Sequence, residues 1–288
     1  MTTMTTFKQD KRTQNAIIST VSYIALAVML IFWLFPVFWM VLTAFKPNPE
    51  ITRNEAPLSI LEPTLDNINY LFQETEFVNW IVNSLVVSAS TTIFSVIVGT
   101  LAAYALVRFR LKGGKVLGMG IFITYLLPQT LLFIPMAYVI QQLRLYDNLL
   151  ALVLVYPTMM VPFCTWLMMG YFSQIPKDME ESARVDGATR WQAFYMVVLP
   201  LAIPGTISAA IFTFTLSWSE YLYSLVLIPS SASQTIPVGV PNALSSGDVF
   251  IWGSIMAAAL IGSLPVVFVY AFFMKYFVSG MMAGAVKG

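Results

Sequence analysis

SQIPKDMEESARVDGATRWQAFYMVVLPLAIPG, residues 173–205, carries helix starts and stops where its flanks are unbroken apolar runs. Asp178 followed by Glu181 fits a capping box, with Asp178 accepting from first-turn amides. A short helix, Met179 to Val185, is predicted behind it. Gly187 then falls where a helix ends in a left-handed residue, a conformation glycine adopts without strain. Thr189 followed by Gln192 is a second capping box, opening a helix that runs to Leu199. Pro200 and Pro204 close the segment. The stretch therefore predicts a helix–glycine–helix elbow. Taken alone, it reads equally as an amphipathic hairpin lying at a membrane surface or as an element shaped to dock something.

Working outward, the chain has 288 residues, 58% hydrophobic and 10% charged, against about 25% charged in a soluble domain. Lipid is the solvent that tolerates such a surface. A crossing helix needs about 20 mostly apolar residues, and six stretches qualify: 17–42, 81–107, 116–140, 149–171, 201–228 and 250–277. The first follows Lys8, Lys11 and Arg12, but is too long for a signal peptide and lacks a small-residue cleavage site. The predicted fold class is all-α and polytopic, with six transmembrane helices. Its parts are an N-terminal segment (1–16), the first span (17–43), an external loop (44–79), a core of five spans (80–277) containing the elbow (173–200), and a tail (278–288). The external loop carries Pro47, Pro49, Pro57 and Pro63 and is expected to be irregular, with one short helix from Leu65 to Phe72.

Charge sets the orientation. With the N-terminus inside, 12 of the 15 basic residues are cytoplasmic, and Lys46, Arg53 and Arg144 are outside. That split obeys the positive-inside rule and puts both termini in the cytoplasm. Trp33, Trp39 and Trp80 fall near the outer interface, where indoles prefer to sit. A net charge of +1 gives no reason to expect nucleic acid. The chain has no histidine, which removes His metal sites and Ser-His or Cys-His pairs. Its one cysteine, Cys164, cannot pair within the chain. No phosphate-binding loop occurs; Gly113-Gly114-Lys115 is a basic turn, so ATP hydrolysis is not expected on this chain. No cofactor is expected.

The elbow residues resemble a specific signature. Glu181-Ser182-Ala183, Asp186-Gly187-Ala188 and Leu199-Pro200 look like the EAA motif of ABC importer permeases, with Ser182 in place of the first alanine. Asn83-Ser84-Leu85, Trp218-Ser219-Glu220-Tyr221-Leu222 and Ala283 to Gly288 are similar to the carbohydrate branch, MalG-like, although the family usually carries Asn where Ser219 stands. The resemblance implies the type I importer permease fold in a bacterial inner membrane. It implies that Glu181, Ser182, Ala183, Asp186, Gly187, Ala188, Leu199 and Pro200 couple to a separate ATPase dimer. A second, homologous permease and an extracytoplasmic solute-binding protein complete the implied assembly. It also implies that the tail, through Gly284, Val286 and Lys287, enters the ATPase interface; composition alone reads as a frayed end. The implied cargo is a sugar, sugar alcohol or oligosaccharide, with glycerol-phosphate as an alternative.

Glu220 is the one acid expected inside a span, and an intramembrane carboxylate is a functional-site hypothesis by default. Flanked by Trp218 and Tyr221, it reads equally as part of a sugar path and as a structural acceptor for a neighbouring helix. Pro128 and Pro135 mark bends, and Gln129 is a further pathway residue. The methionines Met159, Met160, Met168 and Met169 read as packing between helices. An ion-coupled transporter would need relay residues that Glu220 alone does not supply. An intramembrane protease would need a membrane aspartate pair, whereas Asp147, Asp178, Asp186 and Asp248 fall in loops.

Overall fold

The computed structural model describes residues 3–52, 58–109, 111–247 and 249–285. Arg53, Pro57, Arg110, Asp248 and residues 286–288, including Val286 and Lys287, lie outside the described residues. Helices follow in the order α1 (Thr3–Ala44), α2 (Asn48–Ile51), α3 (Asp66–Gln73), α4 (Phe77–Arg108), α5 (Gly114–Tyr125), α6 (Gln129–Gln142) and α7 (Leu149–Gln174). Next come α8 (Lys177–Val185), α9 (Arg190–Ala193), a π-helical segment (Phe194–Val198), α10 (Leu199–Leu201), α11 (Ile203–Trp218), α12 (Leu222–Leu227), α13 (Ile236–Leu244) and α14 (Trp252–Ala285).

Among the described residues, four helices are long and apolar enough to cross a membrane unbroken, within α1, α4, α7 and α14. Two more crossings arise if bent pairs count as one span: α5 with α6, bent by 89°, and the helix of 190–201 with α11, bent by 73°. The six predicted runs are thus helical, but the third and fifth are not continuous rods, and the sixth starts at Trp252, its expected first residue Phe250 lying in a two-residue strand. Pro128 breaks the third: its ring removes an amide and biases Leu127 away from the helical region. The fifth ends at Trp218 and resumes at Leu222, so the expected unbroken helix to Ile228 is corrected to two pieces around Ser219-Glu220-Tyr221.

The chain divides into two units, Met1–Gln73 with Val249–Ile261, and Glu74–Asp248 with Gly262–Gly288. In the smaller unit the side chains of α1 from Ile17 to Phe38 are exposed, Trp33 by 72%, while Leu42 and Ala44 at its end are buried. Asn67, in the short helix expected at 65–72, is the buried joint. Its side-chain amide donates to Ala44 O (3.0 Å) and Lys46 O (2.7 Å), and its backbone carbonyl accepts from Ser254 Oγ (3.2 Å). Lys46, also buried, pairs with Glu50 at 3.7 Å, and Glu50 accepts from Leu61 N.

In the larger unit α4 packs closely on its neighbours, above all α7, through a face of small residues. Ser84, Ser88, Thr91, Ser95 and Gly99 recur every three or four positions on one face of α4 and are buried. A Cβ on Gly99 would stand 2.5 Å from Cys164 Cβ, so the helices meet backbone to side chain there. Small residues serve this purpose in membranes, where close approach rather than the hydrophobic effect holds helices together. Met159 and Met160 pack in one buried cluster and Met168 in another, with the half-buried Met169 against it, as packing residues should. At the end predicted to face outward, Trp80 is fully buried and its indole donates to Ser231 O at 2.7 Å. That corrects its reading as an interfacial tryptophan: an indole with a protein acceptor has no need of headgroups. Asn83 donates to Ala232 O and Gln234 O, and Asp147 accepts from Ser230 N while its own amide donates to Leu227 O.

Candidate functional site

The elbow forms, with one altered joint. Pro176 is extended and takes the cap position, so α8 is already helical at Lys177. Asp178 therefore sits inside the first turn, and no side chain caps the helix. The capping box expected at Asp178 is corrected on this ground: the extended Pro176 directly precedes the helix, so Asp178 is already its second residue and cannot be its cap. In the first turn Asp178 still meets the positive end of the helix dipole. The other end is as expected. Gly187 has φ +95°. Its amide donates to Arg184 O and that of Ala188 to Ala183 O, the paired bonds of a Schellman stop. Thr189 and Gln192 form a complete capping box.

The helix expected to run from Thr189 to Leu199 is present but widened. Residues 194–198 are π-helical, just ahead of Pro200, which has no amide to give the preceding turn. Glu181, Ser182, Asp186 and Gly187 are exposed, as is Val185 at 87%; Ala183, Ala188 and Leu199 are half-buried and Pro200 is exposed. The coupling residues read from sequence thus do not share one surface.

Glu180, which the sequence reading passed over, is buried instead. Its Oε1 accepts from Tyr104 OH at 2.6 Å, and its Oε2 lies 3.2 Å from Arg108 Nε. Arg108 also donates through Nη2 to Ile175 O at 2.9 Å. Tyr104 and Arg108 are four apart on α4 and so share a face. The Tyr104 ring packs against Phe194 (4.5 Å), Phe109 (5.7 Å) and Phe172 (6.0 Å). A carboxylate lodged among these rings is tolerable because both its oxygens are partnered. Leaving Arg108 alone would cost about 3–5 kcal/mol. A cavity of about 70 Å³ beside the pair is also lined by Lys177, Glu181, Arg184 and Arg190. The available signal was the Tyr104/Arg108 pair at the end of a span, facing an acid.

The second constellation lies where the broken spans meet. Glu220 is buried and accepts from Tyr156 OH (2.7 Å), Tyr223 N (2.9 Å) and Ser224 N (3.3 Å). It therefore occupies the start of α12 as that helix's acceptor. Trp218 is buried, stacked on Phe214, and donates to Gly262 O at 3.1 Å. Tyr221 and Gln129 are exposed. Tyr223 OH donates to Gln129 O at 3.3 Å, so the break in the third span touches the break in the fifth. Irregular backbone at membrane depth is tolerated where protein or a water-filled cavity receives it.

A family model described as the binding-protein-dependent transport system inner membrane component matches residues 95–283. The chain belongs to that family. This permease is 37% identical over 268 residues to the inner membrane ABC transporter permease protein YcjP of Escherichia coli, covering 92% of this chain and 95% of that one. It is 33% identical over 262 residues to the diacetylchitobiose uptake system permease protein DasC of Streptomyces coelicolor, covering 91% and 94%. Its fold matches that of a chain in the crystal structure of a bacterial ABC transporter involved in the import of the acidic polysaccharide alginate. That match has a TM-score of 0.78 and 21% identity, and covers 92% of this chain and 98% of that one. The permease is a multi-pass inner-membrane transport component with the importer-permease fold.

Proposed function

We propose that this permease supplies half of the path of an ATP-driven importer for a sugar, sugar alcohol or oligosaccharide, and that a separate ATPase dimer drives it through the elbow. The observation that carries this reading is the elbow itself. α8 is stopped rigidly at Gly187 and re-capped at Thr189, and it presents Glu181, Ser182, Val185 and Asp186 outward. An apolar residue left 87% exposed at the tip of a charged helix suits a groove on another protein. Glu181 and Asp186 would meet its basic or polar rim. The exposed apolar length of α1 suits lipid or a second, homologous permease, and a solute-binding protein would deliver cargo at the outer face. The name of the Streptomyces relative supports a carbohydrate cargo. In this reading Gln129 and Tyr221, exposed at the two breaks, face the solute, while Trp218 and Glu220 hold the breaks in shape.

The test is reconstitution of the permease with its ATPase, second permease and binding protein in liposomes. Uptake of a labelled oligosaccharide that requires ATP and the binding protein is the expected result. Competition by glycerol-phosphate but not by sugars would reassign the cargo. Uptake driven by an ion gradient without ATP would overturn the reading.

A further inference from the structure

Of the residues of α8, all of them described, Glu180 alone is buried. The helix is therefore held to the rest of the chain by a carboxylate rather than by an apolar stripe. The difference matters mechanically. Apolar contact is non-directional, so helices held by it can slide. Charge-assisted hydrogen bonds fix particular atoms at particular angles. Glu180 Oε1 accepts the one directional bond, from Tyr104 OH at 2.6 Å, and Oε2 is ion-paired with Arg108 Nε at 3.2 Å; both partners lie on one face of α4. Arg108 passes the tie to Ile175 O at the end of α7. The Tyr104 ring passes it to Phe194 in the π-helical segment.

We propose that Glu180 is a positioning residue for transport, a latch that converts displacement of α8 into displacement of the cytoplasmic end of α4. The inference rests on the reading that an ATPase docks on the elbow. It assigns to the two neighbouring acids opposite duties: Glu181 faces the partner, and Glu180 faces inward and carries the stroke to the spans.

The experiment uses the reconstituted importer and three readouts: co-purification of the ATPase, ATP hydrolysis, and solute transported per ATP. Glu180→Gln keeps the side chain's volume but loses its charge. It should retain the ATPase at wild-type yield and still hydrolyse ATP, while transport per ATP falls by about fivefold or more. Tyr104→Phe removes a single hydroxyl and should shift the ratio in the same direction; it carries the test if Glu180→Gln fails to assemble in the membrane. The double variant Glu180→Gln/Arg108→Gln leaves no unpaired buried charge, yet its ratio should stay low. Recovery of the wild-type ratio in that double variant would reduce Glu180 to a counter-ion and overturn the latch. A wild-type ratio in Tyr104→Phe and Glu180→Gln, beside a Gly187→Val variant that sheds the ATPase, would overturn the latch alone. Retention of the ATPase by Gly187→Val would remove the docking reading and the latch with it.

Discussion

Glu180 and Glu220 are both buried in the larger unit, and the carboxylate oxygens of each are partnered, those of Glu180 by Tyr104 and Arg108 of α4 and those of Glu220 by Tyr156 of α7 and two amides of α12. Neither is an isolated charge in an apolar medium, which would be prohibitive. Glu220 takes one phenolic hydroxyl and two amides. Glu220→Ala would leave all three without a partner, and unsatisfied buried donors cost about 1–3 kcal/mol each. The expected outcome is a clear fall in the thermal midpoint of the detergent-purified permease, with Glu220→Gln intermediate. Tyr221→Ala, at an exposed position, should leave that midpoint within error and lower uptake instead. Sequence identified Glu220 as the acid worth explaining but left its two readings level, because accepting from an amide three residues on depends on a helix break that hydropathy averages away. Glu180 was illegible for a different reason. Of two adjacent acids, the inward one is chosen by how α8 is turned against α4, which tertiary packing and not local spacing decides.

At the scale of elements, the elbow was readable wherever a local rule decides the backbone. Gly187 has the left-handed φ its position called for, and Thr189 and Gln192 close the box their spacing announced. The π-helical turn at 194–198 was not readable, since it arises from fitting Phe194 and Val198 into the core around a proline that withholds its amide. Gly187→Val should therefore act locally. A β-branched side chain at φ +95° costs about 1–2 kcal/mol or more, enough to unseat a three-residue turn but not a bundle of spans. Membrane insertion and yield should match wild type, while the ATPase should be lost on co-purification. The seam of α4 was likewise hidden: Ser84, Ser88, Thr91, Ser95 and Gly99 look like ordinary interruptions in an apolar run until neighbouring helices bury them, α13 at Ser84 and α7 at Gly99.

Across the whole molecule, the loops predicted on opposite sides gather at opposite ends of the larger unit. Asp147 and Ser230 meet at one end; Arg108, Ile175 and Glu180 meet at the other. This is the pattern that the unequal distribution of basic residues requires. The native Cys164 is fully buried, its thiol 3.1 Å from Thr213 Oγ1, so the wild-type chain should give little background with a membrane-impermeant maleimide. Ser231→Cys should label in intact cells, and Lys112→Cys only after permeabilisation. The reverse pattern would invert the topology.

The outer end of α4 is pinned through Trp80 and Asn83 to the 231–234 segment, while its inner end meets α8 through a single carboxylate. With the proposed latch engaged, such a rod would act as a lever with its fulcrum outside. Its 32 residues span about 48 Å at the α-helical rise of about 1.5 Å per residue. A tilt of about 5° about the outer pins then sweeps the inner tip through about 4 Å, a little less than the pitch of one helical turn. The outer mouth of the seam hardly moves over the same arc, so a stroke delivered at the inner tip is geared down on its way outward.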